Sequence, residues 1–176
     1  MRQPTLRRGL AALAAAGAAF AATGFTVSSP SLPDGGSMPA RFTCDGAGVN
    51  PALEFRDPPP GTRGFAILGW DESAAGLRAT WVAYDLPASA TGVPEAVPEG
   101  ATAPGGFKQG RNSAGRVGYT GPCPAKGSAA HRLYFDLYAL DAPTLGLPGG
   151  AGLDAVHAAI KKHRLAEAKL ASRYRR

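Results

Sequence analysis

Alternation of apolar and polar positions organises the body of this chain. From Arg132 to Leu140 the sequence reads RLYFDLYAL. In an extended chain this places Leu133, Phe135, Leu137 and Ala139 on one face and Tyr134, Asp136, Tyr138 and Leu140 on the other, as a period of two requires. Two further segments carry the continuous apolar runs of buried strands: Gly64 to Trp70, with Phe65-Ala66-Ile67-Leu68, and Ala79 to Leu86, with Trp81-Val82-Ala83-Tyr84. Phe25 to Ser29 fits a shorter strand, and Asp34-Gly35-Gly36 fits a turn. Trp70, Trp81, Phe135 and Tyr138 fall on these strands and are expected in the core, with the two tryptophans also able to wall a pocket mouth.

Helical spacing is clear near the C-terminus, where Leu153, Val156 and Ile160 precede Lys161 and Lys162. The apolar stripe buries one face, the lysines complement the negative end of a helix dipole, and together they predict a helix of about ten residues. Beyond His163 the string LAEAKLASRY admits two readings. Its Ala and Leu content tolerates a helix, whereas the alternation of Ala166, Ala168 and Leu170 with Glu167 and Lys169 suits a strand. Between Pro87 and Gly118 no apolar run is long enough to bury a face, which predicts a long excursion over the surface.

Composition sharpens this picture. With 24 Gly and 16 Pro among 176 residues and only 18% charged residues, short strands and many turns are favoured over long helices. The length suits one domain.

The formal net charge of +6 is unevenly placed. Ten of the 19 basic residues lie in the first eight and last sixteen positions, leaving nine Lys or Arg against twelve Asp or Glu between residues 22 and 159. A basic tail without interleaved aromatics on an acidic body does not make a nucleic-acid site, and none is expected.

Residues 1–21 have a basic start, an uncharged apolar run from Leu10 to Ala21 and the small-x-small sequence Ala19-Phe20-Ala21. This is the form of a secretory signal peptide. The run of twelve residues falls short of the roughly 20 that span a bilayer. The expectation is an exported domain over residues 22–176, periplasmic or extracellular, with no integral membrane segment in the mature chain. Arg7-Arg8-Gly9-Leu10 leaves both Sec and twin-arginine export open.

In an oxidising compartment the two cysteines, Cys44 and Cys123, are expected to pair. Such a bridge would close a loop of about 80 residues and contribute roughly 4 kcal/mol by loop-closure theory. A metal site would need further ligands, and His131, His157 and His163 have no ligand-like spacing. His157 and His163 read as surface or core-edge residues.

Five motifs occur in order: FTCDGAGVNPALEF at 42–55, PPGTRGFAILGWD at 59–71, TWVAYDLP at 80–87, GRNSAGRVGYTGPCPAKGSAAHRLYF at 110–135, and the closing HRLAEAKLASRY. Together they resemble the phosphatidylethanolamine-binding protein family, in its bacterial Raf-kinase-inhibitor-like branch, over residues 25 to 174. The resemblance implies an antiparallel β-sandwich of Greek-key type with a short C-terminal helix, and a strand after His163. It also implies a small anion pocket that binds a phosphoryl or carboxylate group, such as phosphate or a phospholipid head group. Carried onto this chain, the pocket would use Asp71, Thr80, Trp81, Gly121, Pro122, Pro124 and His131. The family's bacterial members often carry cysteines where Cys44 and Cys123 stand.

The departures bear on chemistry. Where the family has a pocket histidine this chain has Thr80, where it has a second turn proline this chain has Ala125, and the tyrosine of its HRY triplet is Leu133. Fewer hydrogen-bond donors then face the anion, so the pocket is expected to be weakened. No GxSxG elbow or phosphate loop occurs, and neither an enzymatic activity nor a cofactor is expected. The alternative expectation is a protein-binding module, such as a protease inhibitor, acting through the loop from Pro87 to Gly118.

Overall fold

The computed structural model describes residues 24–73 and 75–176; the signal peptide expected at 1–21 lies outside them. The protein is mainly β with one short helix near the C-terminus. The strands are β1 (Thr26–Ser28), β2 (Gly36–Ser37), β3 (Leu53–Arg56), β4 (Gly64–Ser73), β5 (Gly76–Pro87), β6 (Gly92–Val93), β7 (Lys108–Gln109), β8 (His131–Leu140) and β9 (Arg164–Tyr174), with helix α1 (Leu153–His163) between the last two. β1, β3 and β6 form a small sheet in the order β1-β3-β6, and the other six strands form a large one in the order β2-β9-β8-β4-β5-β7.

Period-two patterning decides which face each strand buries. Phe135 and Leu137 of β8, Phe65 and Ile67 of β4, Trp81 and Ala83 of β5 and Leu170 of β9 share a core with Phe25, Val27, Leu53 and Phe55 of the small sheet. The opposite face of the large sheet packs Ala66, Leu68, Val82, Tyr84, Tyr138 and Leu140 against Val156 and Ile160 of α1. Expected core residues Trp81, Phe135 and Tyr138 are buried. Trp70 is only half-buried, with the His157 ring of α1 edge-on against it.

The two-way segment after His163 is strand β9, paired with β8 from His131↔Tyr174 to Leu140↔Arg164. Ala168, Leu170, Ser172 and Tyr174 are all buried, so the apolar alternation overrides helix propensity. β2 pairs in parallel with β9, and the other ladders among the described residues are antiparallel.

The surface excursion expected from Pro87 to Gly118 needs correction. Val93, Val97, Ala103 and Phe107 enter the inter-sheet core, and Gln109 is fully buried. There its amide accepts a hydrogen bond from Trp81 Nε1 (2.8 Å) and donates to the carbonyls of Pro98 and Gly100. Single apolar anchors separated by Pro and Gly have no period, so a search for runs passes over them.

Candidate functional site

β4 and β8 extend past the inter-sheet core, carrying Asp71 and His131 to one end of the large sheet. Asp71 pairs across the ladders with Leu133 of β8 and Arg78 of β5. Its Oδ1 lies 2.6 Å from Nδ1 of His131. Only 7% of Asp71 is exposed. Burial pushes its carboxyl above the usual range, while the hydrogen bond and charge of His131 and the charge of Arg78 pull the other way.

A cleft of about 410 Å³ opens over this pair, walled by Arg78, Thr80, Ser113, Thr120, Gly121 and Pro122. Thr80 reaches it through a register shift. Gly69 pairs with Trp81 and Trp70 with Ala79, leaving Thr80 as the extra residue of a β-bulge. Gly69 makes the bulge possible, because a Cβ there would lie 2.8 Å from Thr80 Oγ1.

The opposite wall is fastened by backbone and amide groups. The Thr120 N–H donates to the Thr80 carbonyl at 2.8 Å. Ser113 N–H donates to the Ala79 carbonyl (3.0 Å), and Ser113 Oγ accepts from the Ala79 N–H (2.8 Å). Buried Asn112 donates to Thr120 Oγ1 and the Gly118 carbonyl and accepts from the N–H groups of Ala114 and Arg116, which fixes the loop's shape.

The turn at 119–123 is clamped to residues 42–44. Tyr119 donates from its hydroxyl to the Phe42 carbonyl at 2.8 Å, and burial holds that phenol well above its ordinary pKa. Cys44 and Cys123 form a disulfide with Cα atoms 5.3 Å apart. Gly121 packs so closely that a Cβ would lie 2.8 Å from the Thr43 carbonyl carbon.

Asp71, Thr80, Gly121, Pro122 and His131 thus meet in the cleft. Two residues expected there stand elsewhere: Trp81 is fully buried in the inter-sheet core, and Pro124 is buried outside the cleft lining. Leu133 is also core, 2% exposed beneath Asp71, so a hydroxyl at that position would meet apolar packing. Sequence reading missed Arg78, which is exposed and makes no hydrogen bond or ion pair among the described residues. It follows an ordinary hairpin turn, and nothing in the sequence marks it. Asn112 and Ser113 were visible only as part of a motif without an assigned role.

A mainly β chain with an acid–imidazole pair at one sheet end is the class of protein this fold and site define. Residues 28–175 match the family model described as phosphatidylethanolamine-binding protein. The chain belongs to that family. It is 41% identical over 144 residues to a UPF0098 protein of Methanothermobacter thermautotrophicus, covering 81% of this chain and 93% of the relative. The crystal structure of Escherichia coli YbcL, titled a new member of the mammalian PEBP family, superposes with a TM-score of 0.80 at 26% identity, over 86% of this chain and 98% of YbcL. A Mycobacterium tuberculosis relative bearing the lipoprotein name LppC is 33% identical over 78% of this chain and 66% of its own length.

Proposed function

We propose that the protein is an exported, non-enzymatic binder of a small oxyanion, phosphoryl or carboxylate, held in the Asp71–His131 cleft of a Greek-key sandwich. The observation that carries this reading is the convergence of the His131 imidazole and the uncommitted Arg78 guanidinium on one cleft rimmed by the hydroxyls of Thr80, Ser113 and Thr120. Asp71 occupies Nδ1 of His131, which leaves Nε2 as the ring nitrogen for a ligand. Arg78 supplies the fork geometry that suits phosphate and carboxylate, and so offsets the loss of a histidine at Thr80. The leader at 1–21 and the lipoprotein name of LppC support export, and the family's name supports a phosphoryl head group.

Titration calorimetry with phosphate, phosphoethanolamine and acetate tests this. Charge-assisted hydrogen bonds make about a tenfold loss the expected outcome for His131→Ala and for Arg78→Ala. If neither replacement alters phosphate binding, or none is measured in the folded wild type at millimolar phosphate, the anion reading is wrong and the protein-binding alternative takes its place.

A further inference from the structure

The outer face of the large sheet is only partly covered. A ten-residue strand spans about 33 Å, whereas the eleven residues of α1 span about 16 Å. Beside the helix lies an open groove of about 430 Å³. Its rings come from three elements. β4 supplies Trp70, which pairs with Tyr134 across the unbroken β4–β8 ladder; β8 supplies Tyr134 and Tyr138; α1 supplies His157, whose ring meets Trp70 edge-on at 6.2 Å.

At the floor lies Asp136, 5% exposed; its Oδ2 accepts from the Tyr138 hydroxyl at 3.5 Å, and its Oδ1 accepts no hydrogen bond of good geometry among the described residues. Lys169 of β9 places Nζ 3.3 Å from that oxygen, at ion-pair distance, and 4.7 Å from the centre of the Tyr134 ring. The other carboxylate, Glu72, already accepts from the Tyr134 hydroxyl at 2.8 Å. Asp136 Oδ1 is therefore held by a single side-chain ammonium that can be exchanged, and it faces aromatic rings whose negative faces attract cations. An ammonium of the chain itself already rests there, on a half-exposed and flexible stem.

We propose that this groove is a second binding site, separate from the Asp71–His131 cleft, and that it takes an organic ammonium group for which Lys169 is the internal stand-in. An incoming alkylammonium displaces the Lys169 tip into solvent, hydrogen-bonds Asp136 Oδ1 and stacks its methylenes on Trp70 and Tyr134. Charge balance is kept by the exchange, because one cation replaces another beside the same carboxylate. Asp136 disfavours anions at the floor, while at the rim Glu72 is already paired with Arg132 at 3.7 Å, whose guanidinium also lies 5.5 Å from the centre of the Tyr134 ring.

The test is fluorescence titration of the intact protein with n-butylammonium, then with a short lysine-ended peptide to separate a free amine from a protein side chain. Trp70 reports on the groove, and Trp70→Phe removes the signal. Lys169→Met is expected to tighten n-butylammonium binding about fivefold or more by removing the competitor, and Asp136→Asn to weaken it by about tenfold. Should Asp136→Asn fail to fold, Tyr134→Ala serves in its place, with a loss of about fivefold expected. Unchanged or weaker binding in Lys169→Met overturns the proposal, as does a Trp70 response to phosphate and none to n-butylammonium.

Discussion

Two carboxylates of the large sheet, Asp71 and Asp136, are buried to nearly the same degree, on opposite faces, and burial pushes both above the usual range. Their partners differ. Asp71 holds a stiff imidazole at hydrogen-bond distance, whereas Asp136 has the tip of a half-exposed lysine at ion-pair distance on one oxygen and a long hydrogen bond from the Tyr138 hydroxyl on the other. A short bond to a short side chain orients its partner; a loose contact with a long one leaves the acceptor exchangeable. Desolvation alone therefore does not define a site's chemistry. What matters is whether the compensating charge is fixed or can leave.

The largest expected effect comes from removing the clamp that only one of the two sites has. Cys123 lines the cleft and nothing of the disulfide touches the outer groove. A Cys44→Ser/Cys123→Ser variant is expected to lose roughly 4 kcal/mol of stability, about a 10 °C fall in Tm for a chain of this size. At a temperature where the variant is still folded, phosphate binding should weaken while the n-butylammonium response persists. Equal loss at both sites would erase the distinction.

Next in size is Asn112→Ala. Its side chain makes five hydrogen bonds that shape the cleft's loop, and truncation leaves the buried Gly118 carbonyl without that donor, at about 1–3 kcal/mol. Thermal unfolding should report the loss, and calorimetry a lower phosphate affinity with the outer groove unaffected.

Titration offers a subtler comparison. For a carboxyl raised in the folded state, the folded protein holds more protons than the unfolded chain in the window from the ordinary value of 3.8 up to the raised pKa. Stability contributed by the group is present below that window and is lost as pH rises through it. Wild type should therefore lose stability relative to Asp71→Asn, and relative to Asp136→Asn, as pH climbs from 3.8. Chemical denaturation across that range checks it, and a constant difference from either variant would refute the corresponding shift.

Smallest is the C-terminal clamp, where Asp45 accepts from the Tyr174 hydroxyl and from Arg176. Its carboxyl is held below the usual range, first by Tyr174 and then by Arg176. Here the sign is opposite: the contribution is present above 3.8 and is lost as pH falls through the lowered pKa. Arg176→Ala should lower Tm slightly at neutral pH, with the difference from wild type closing in acid.

Much of this arrangement was legible in the residues. Strong runs and strict alternation located β4, β5 and β8, and paired cysteines behind a leader located the bridge. Motif order brought Asp71 and His131 to one place before any coordinates did. β3 was missed because a four-residue strand inside a proline-rich segment offers too few alternations to register. Arg78 and the bulge at Thr80 were missed for a different reason: a bulge changes which way side chains point without changing the sequence's period. Asp136 was readable as the polar member of an outer face, but its shallow cover depends on where α1 ends.

The parallel pairing of β2 with β9 has a consequence for the order in which the chain is made. Gly36 meets Ser172, and Asp34 accepts from the Ala171 N–H across 137 positions. A chain synthesised from its N-terminus therefore carries the unpaired edge of β8 and a waiting partner at residues 34–37 until its final eleven-residue strand emerges. Until then it exposes the unpaired strand edges that chaperones recognise; with the arrival of β9, both open edges close at once.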